Sequence, residues 1–131
     1  MTVSAPVFPP DHAGAEVRPS PNAGDRRDGK ACDILLLHYT GMKTGPEAED
    51  WLCDPQSEVS CHYIVHEDGR VVQMVPEERR AWHAGSSFWK GETDINSRSV
   101  GIEIVNGGHD FGLPAFPESQ VEAVIDLSRG I

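Results

Sequence analysis

The sequence is short of cysteine, of basic residues and of long apolar runs, and each shortage removes a class of protein. Its three cysteines, Cys32, Cys53 and Cys61, are an odd and small set. They do not make a disulfide framework and read as free thiols of a reducing compartment. Lysine and arginine number 11 against 21 acidic residues, a formal charge of −10. Phosphate backbones and anionic membranes both demand a positive footprint, so no nucleic acid and no membrane surface is expected as a partner. No apolar run approaches the roughly 20 residues of a membrane span. The opening stretch MTVSAPVFPPDHAG has neither a basic start nor a long apolar core. The expectation is a cytoplasmic protein, with the cell envelope as the alternative if a leader was removed. A GxSxG elbow, a phosphate loop and a CxxC pair are also missing.

What is present suits one domain. The chain has 131 residues, 38% hydrophobic and 24% charged, with ten prolines and thirteen glycines. Residues 1–31 are broken by Pro6, Pro9, Pro10, Pro19 and Pro21 and are predicted to form an irregular arm over the surface. Residues 32–131 form the domain proper. DILLLHYT reads as a buried strand, apolar on both faces. TGPEAEDWLCD reads as a helix capped by Thr44, with Pro46 in the first turn and Ala48, Trp51 and Leu52 as its apolar stripe. SCHYIVHEDGRVVQMVP reads as a hairpin turning at Asp68-Gly69, with Cys61, Tyr63 and Val65 on one face. RSVGIEIVNGG is a further strand, and FPESQVEAVIDLSRGI a helix with Val121, Val124, Ile125 and Ser128 on one stripe. Strand, helix, hairpin, strand, helix predicts an α/β fold, a mixed central sheet flanked by helices.

Two residues in these elements suit chemistry. His38 ends the apolar strand, where side chains of open α/β sheets are rigidly held yet reachable. An imidazole there reads equally as a metal ligand or as a structural histidine bonded to a carbonyl. Glu103 sits among isoleucines in VGIEIV, where a carboxylate is costly to bury unless it is paired. It either faces water or belongs to a site. In a site, partial burial raises its pKa and makes it a general base, suited to deprotonating a metal-bound water. AWHAG, with Trp82 and His83, reads as a pocket wall or as a core tryptophan beside a surface histidine. His62 and His66, about 13 Å apart along a strand, cannot share one metal and are taken as structural, or at most as separate participants.

The stretches VRPSPN, LLLHYTGM, SCHYIVHEDGRVVQMVPEERRAWHAG, NSRSVGIEIVN and FPESQ occur in this order. Together they resemble the zinc-dependent N-acetylmuramoyl-L-alanine amidases of the type 2 amidase family, relatives of the peptidoglycan recognition proteins. The resemblance spans about residues 17–131. It implies a sheet with Zn2+ at one end and hydrolysis of the amide between N-acetylmuramic acid and L-alanine in peptidoglycan fragments (muropeptides). It assigns His38 as a zinc ligand and Glu103 as the base that activates the zinc-bound water. It places Tyr63 near the metal as an assisting group, and Trp82, His83 and Asn106 along the substrate groove. The family's other two zinc ligands, a histidine and an aspartate or cysteine, follow the helix that starts here at Pro117. No histidine or cysteine follows residue 110. The expectation is therefore a domain without its C-terminal part, with a non-catalytic peptidoglycan-binding module or an inactive fragment as the alternative.

Overall fold

The computed structural model describes residues 6–29 and 31–131; residues 1–5 and Lys30, all in the expected arm, lie outside them. In chain order the elements are β1 (Glu16–Val17), β2 (Ala23–Gly24), β3 (Ile34–Tyr39), α1 (Gly45–Cys53), β4 (Tyr63–Val65), β5 (Val71–Gln73), β6 (Arg80–Ala81), β7 (Ser99–Ile104) and α2 (Glu118–Gly130). Five strands make one mixed sheet in the order β1-β5-β4-β7-β3. β4 and β5 are antiparallel; the other three neighbouring pairs are parallel. β2 and β6 form a separate two-stranded ribbon.

The sheet has two covered faces, so the expected α/β layering holds. On one, Ala48 and Leu52 of α1 pack on Ile64, Val72, Met74, Cys61 and Val105. On the other, Leu127 of α2, with Ala123 and Val124, packs on Tyr63, Val65, Val71, Val100 and Ile102. α1 begins as its sequence predicts: the Thr44 side chain accepts from the Glu47 amide and proline occupies the first turn. The hairpin also turns where expected. Gly69 has φ of +89°, a conformation glycine adopts without a Cβ penalty.

Four expectations are corrected. β3 is not buried. Among the described residues it lies at the sheet edge with β7 as its one neighbour, and Leu35, Leu37 and Tyr39 are 38%, 49% and 53% exposed. Apolar content predicts a strand but not its place in the sheet. The helix stripe of α2 is turned: Gln120 and Leu127 are buried, whereas Val121 and Ile125 are exposed. The buried Gln120 amide donates to the carbonyls of Val65 and Val105, tying α2 to two strands. On α1, Trp51 is half exposed rather than core. Finally, the arm is neither wholly irregular nor wholly superficial. β1 extends the sheet, and Ser20 and Asn22 are buried.

Asn22 shows what the arm contributes. Its Nδ2 donates to the carbonyls of Asp54 (2.9 Å) and Val59 (2.8 Å), closing the turn after α1. Asn22→Ala strands two acceptors, and the expected loss is about 2 kcal/mol in urea unfolding. A variant with the midpoint of the parent would show that the arm does not hold this turn.

No helix among the described residues is long and apolar enough to cross a membrane. Cys32, Cys53 and Cys61 are not joined to one another; Cys32 is exposed and Cys61 buried.

Candidate functional site

Parallel pairing of β3 with β7 sets His38 directly beside Glu103, and β4 places Ile64 on the other side of Glu103. In-register neighbours of a sheet point the same way, so His38 and Glu103 share the α1 face. The apolar residues of β7 face α2; Gly101, Glu103 and Val105 face α1.

Glu103 is largely buried, and burial raises its carboxyl to about 7. Its Oε2 has no hydrogen-bond partner. A cavity of about 210 Å³ opens beside it, lined by Trp51, Trp82, Thr40, Met42 and His83 among others. A carboxylate that titrates near neutrality, with a free oxygen in a partly apolar pocket, is what a general base requires. Cys61 also lies on this face. Burial first, and the nearby Glu103 second, push its thiol well above the ordinary value, so it stays protonated.

His38 is half-buried, and burial lowers its pKa. Its Nε2 lies 2.9 Å from Nδ1 of His83, with the rings edge to face at 5.1 Å between centroids. His83 in turn has Nε2 3.0 Å from Ser99 Oγ. Asn96 Oδ1 accepts from the His83 and Ala84 amides at 3.0 and 2.8 Å. The ring rests on Gly101, where an added Cβ would come within 2.5 Å of it. Burial first, then the neighbouring His62 and His38, lowers the His83 pKa to about 3, so this imidazole is neutral.

The six residues expected at the site are therefore not all together. His38, Glu103, Trp82 and His83 converge. Tyr63 does not. It pairs with Ile102, points to the α2 face, and donates its hydroxyl to Glu77. Cys61, not Tyr63, is the hairpin residue near Glu103. The strict alternation predicted for this arm breaks before β4 begins, because Cys61 packs with Ile64 rather than with Tyr63. Asn106 spends its side chain inside its own loop: Nδ2 donates to the Pro114 carbonyl and Oδ1 accepts from the Gly108 amide. It shapes a separate cavity of about 470 Å³ with Lys43 and Phe111. His62 is structural, as expected: Nδ1 accepts from the Gly101 amide, and Nε2 lies 2.8 Å from the Arg79 carbonyl. His66 is paired with Glu49 at 2.5 Å under α1.

Sequence reasoning missed Trp51, Cys61, Asn96 and Ser99. Only Trp51 carried a signal, an aromatic on a short helix beside the site. The other three act through contacts with distant segments.

His38 and Glu103 fit two places of a metal hydrolase site, an imidazole donor beside an unpartnered carboxylate. Among the described residues no group of three or more His, Cys, Asp or Glu is gathered to hold a metal ion. A complete ligand set is not found in them.

Comparison with known proteins bears on the family and the fold. The profile of the Amidase_2 family, described as N-acetylmuramoyl-L-alanine amidase, matches residues 28–131. The 1,6-anhydro-N-acetylmuramyl-L-alanine amidase AmpD of Escherichia coli is 33% identical over 90% of this chain and 72% of its own length. The N-acetylmuramoyl-L-alanine amidase AmiD of the same organism is 36% identical over 75% of this chain and 39% of its own. The crystal structure of a selenomethionine derivative of AmpD superimposes with a TM-score of 0.75 at 30% identity, covering 88% of this chain and 72% of that one. AmiD of E. coli, in complex with the substrate anhydro-N-acetylmuramic acid-L-Ala-D-γ-Glu-L-Lys, gives 0.65 at 33% identity, covering 86% and 45%. The chain thus spans roughly two fifths to three quarters of the length of these relatives. With the family profile over most of its residues and the fold shared with these relatives, this chain belongs to the type 2 N-acetylmuramoyl-L-alanine amidase family.

Proposed function

We propose that the chain hydrolyses the amide between the lactyl carboxyl of N-acetylmuramic acid and L-alanine in muropeptides. The observation that carries this is Glu103, raised to about 7 with a buried free oxygen beside a cavity walled by Trp51 and Trp82. Deprotonated Glu103 takes a proton from the attacking water, which adds to the amide carbonyl. The protonated carboxyl then gives that proton to the departing alanine nitrogen. The products are a lactyl carboxylate and a peptide with a free amino terminus. The two tryptophans offer flat apolar faces for a sugar ring or alanine methyl and keep bulk water from the carboxylate.

Enzymes of this family are generally zinc-dependent. When bound, such an ion supplies Lewis-acid polarisation of the carbonyl and of water. Among the described residues, His38 is the group that would hold it. The anhydro-muropeptide bound by AmiD and the anhydro-muramyl specificity in AmpD's name support anhydro-muropeptides as the substrate class.

The test is direct. The purified chain, with zinc supplied, is incubated with anhydro-N-acetylmuramic acid-L-Ala-D-γ-Glu-L-Lys, the molecule bound in the AmiD complex, and the products are followed by mass spectrometry. Release of the intact tripeptide and anhydro-N-acetylmuramic acid is expected. Saturable binding without cleavage would replace the amidase by a muropeptide-binding module.

A further inference from the structure

Both ring nitrogens of His83 are engaged inside the protein, and the direction of each bond follows from the one proton of a serine. Ser99 Oγ lies 2.8 Å from the carbonyl oxygen of Ile95, which can only accept. The hydroxyl proton therefore goes to Ile95. Ser99 Oγ then has lone pairs alone to offer His83 Nε2, 3.0 Å away, so Nε2 carries hydrogen and donates. A neutral imidazole has one N–H. His83 Nδ1 is thereby an acceptor. His38 Nε2 stands 2.9 Å from it. Two lone pairs at that distance repel, so His38 Nε2 is the donor. By the same count, His38 Nδ1 keeps its lone pair.

We propose that His83 is a positioning residue which, anchored through Ser99 to the Ile95 carbonyl, locks His38 in its Nε2–H tautomer and leaves Nδ1 as the free donor atom. The reassignment moves His83 from the substrate groove to the support of His38. It rests on reading His38 as a metal ligand only for its purpose, not for its geometry. The surroundings are built for the task. Asn96 clamps the backbone at His83 and Ala84, and the bare backbone of Gly101 lets the ring lie against β7. A ligand histidine that donates its other nitrogen to a fixed acceptor is held in orientation as well as in tautomer. Here the acceptor is a second imidazole, itself fixed by a serine. The relay runs from the Ile95 carbonyl to His38, with each donor matched to one acceptor.

Long-range ¹H–¹⁵N spectra of the histidine rings in the metal-free full chain, recorded at pH 8, test it. A single tautomer is expected for His38, with a pyrrole-like Nε2 and a pyridine-like Nδ1, and the same pattern for His83. In His83→Phe the His38 nitrogens should move toward averaged values. In His83→Asn, whose Oδ1 is a pure acceptor near the former Nδ1 position, the single tautomer should return. Ser99→Ala, a smaller change to the fold, should shift both rings toward averaging. Averaged nitrogens in the parent chain would overturn the proposal. So would an unchanged His38 pattern in both His83→Phe and Ser99→Ala. Zinc added to the parent chain separates the two readings. If the tautomer pattern stands but zinc leaves His38 Nδ1 unmoved, the relay holds and the metal role of His38 fails.

Discussion

Glu103→Gln should lower the hydrolysis rate by about 10²–10⁴-fold while leaving the fold intact, because it removes a base and changes little else. The substitution keeps the shape of the side chain. It also removes a charge whose Oε2 has no partner. A second signature follows from linkage. The carboxyl holds its proton to about pH 7 in the native chain, against an ordinary value of 4.5. Between those values the folded state binds more protons than the unfolded state, so stability falls as pH rises. Below about 4.5 both states are protonated and there is no penalty. Above 7 the penalty is complete, on the order of 3 kcal/mol. Glu103→Gln should therefore flatten the decline of unfolding free energy between pH 4.5 and 7.5. The parent's kcat/KM should rise with pH through the same region, as the base is uncovered. Parallel stability curves for parent and variant would mean that Glu103 ionises as it would in water.

Gly101→Ala should damage both stability and activity from a position that touches no substrate. Its Cβ would meet Cγ of His83 at 2.5 Å and Nδ1 and Cδ2 at 2.6 Å. β7 cannot retreat easily. The Gly101 amide donates to His62 Nδ1, and its carbonyl accepts from the His62 amide. The His83 ring must move, and it then loses Ser99 and His38. Overpacking of this kind costs about 1–3 kcal/mol, a fall of roughly 3–10 °C in Tm for a chain of this size. Hydrolysis should fall by more than the loss of folded protein explains. A variant with parental Tm and rate would show that His83 is not confined by β7.

How much of this was written along the chain depends on the range of the interactions. The strand through His38, the Thr44 cap, the Asp68-Gly69 turn and the isoleucines around Glu103 are local patterns, and each appears where the pattern puts it. Sheet side is different. Tyr63 looked like a site residue because it stands in the hairpin that the family shares, but the register of β4 on β7 turns it to the α2 face. Register is fixed by pairing between distant strands, and one residue of slip reverses every side chain. The edge position of β3 is likewise decided by sheet order. Apolar content marked it as a strand and could not mark it as the last one. Val121 and Ile125 illustrate the same limit on a helix. α2 carries more apolar residues than one face can hold, and the contact with the sheet selects Gln120, Ala123, Val124 and Leu127. Ser99 and Asn96 had no sequence signal at all, since their value lies in what a histidine 16 and 13 residues away needs from them.

The edge position of β3 also sets a timetable. Among the described residues its one strand neighbour is β7, which is made well after it. The bond from Arg26 to the Ser99 carbonyl spans 73 residues, and the Thr40–Asn106 contact spans 66. At a ribosome adding about 5–20 residues per second, β3 emerges several seconds before anything exists for it to pair with. The β4–β5 hairpin, closed by a short turn, can form in the interval; His38 has no neighbouring Glu103 until β7 arrives. Recovery of hydrolysis during refolding should therefore trail formation of the hairpin. The long loop that must close first makes docking of β3 on β7 the slow step.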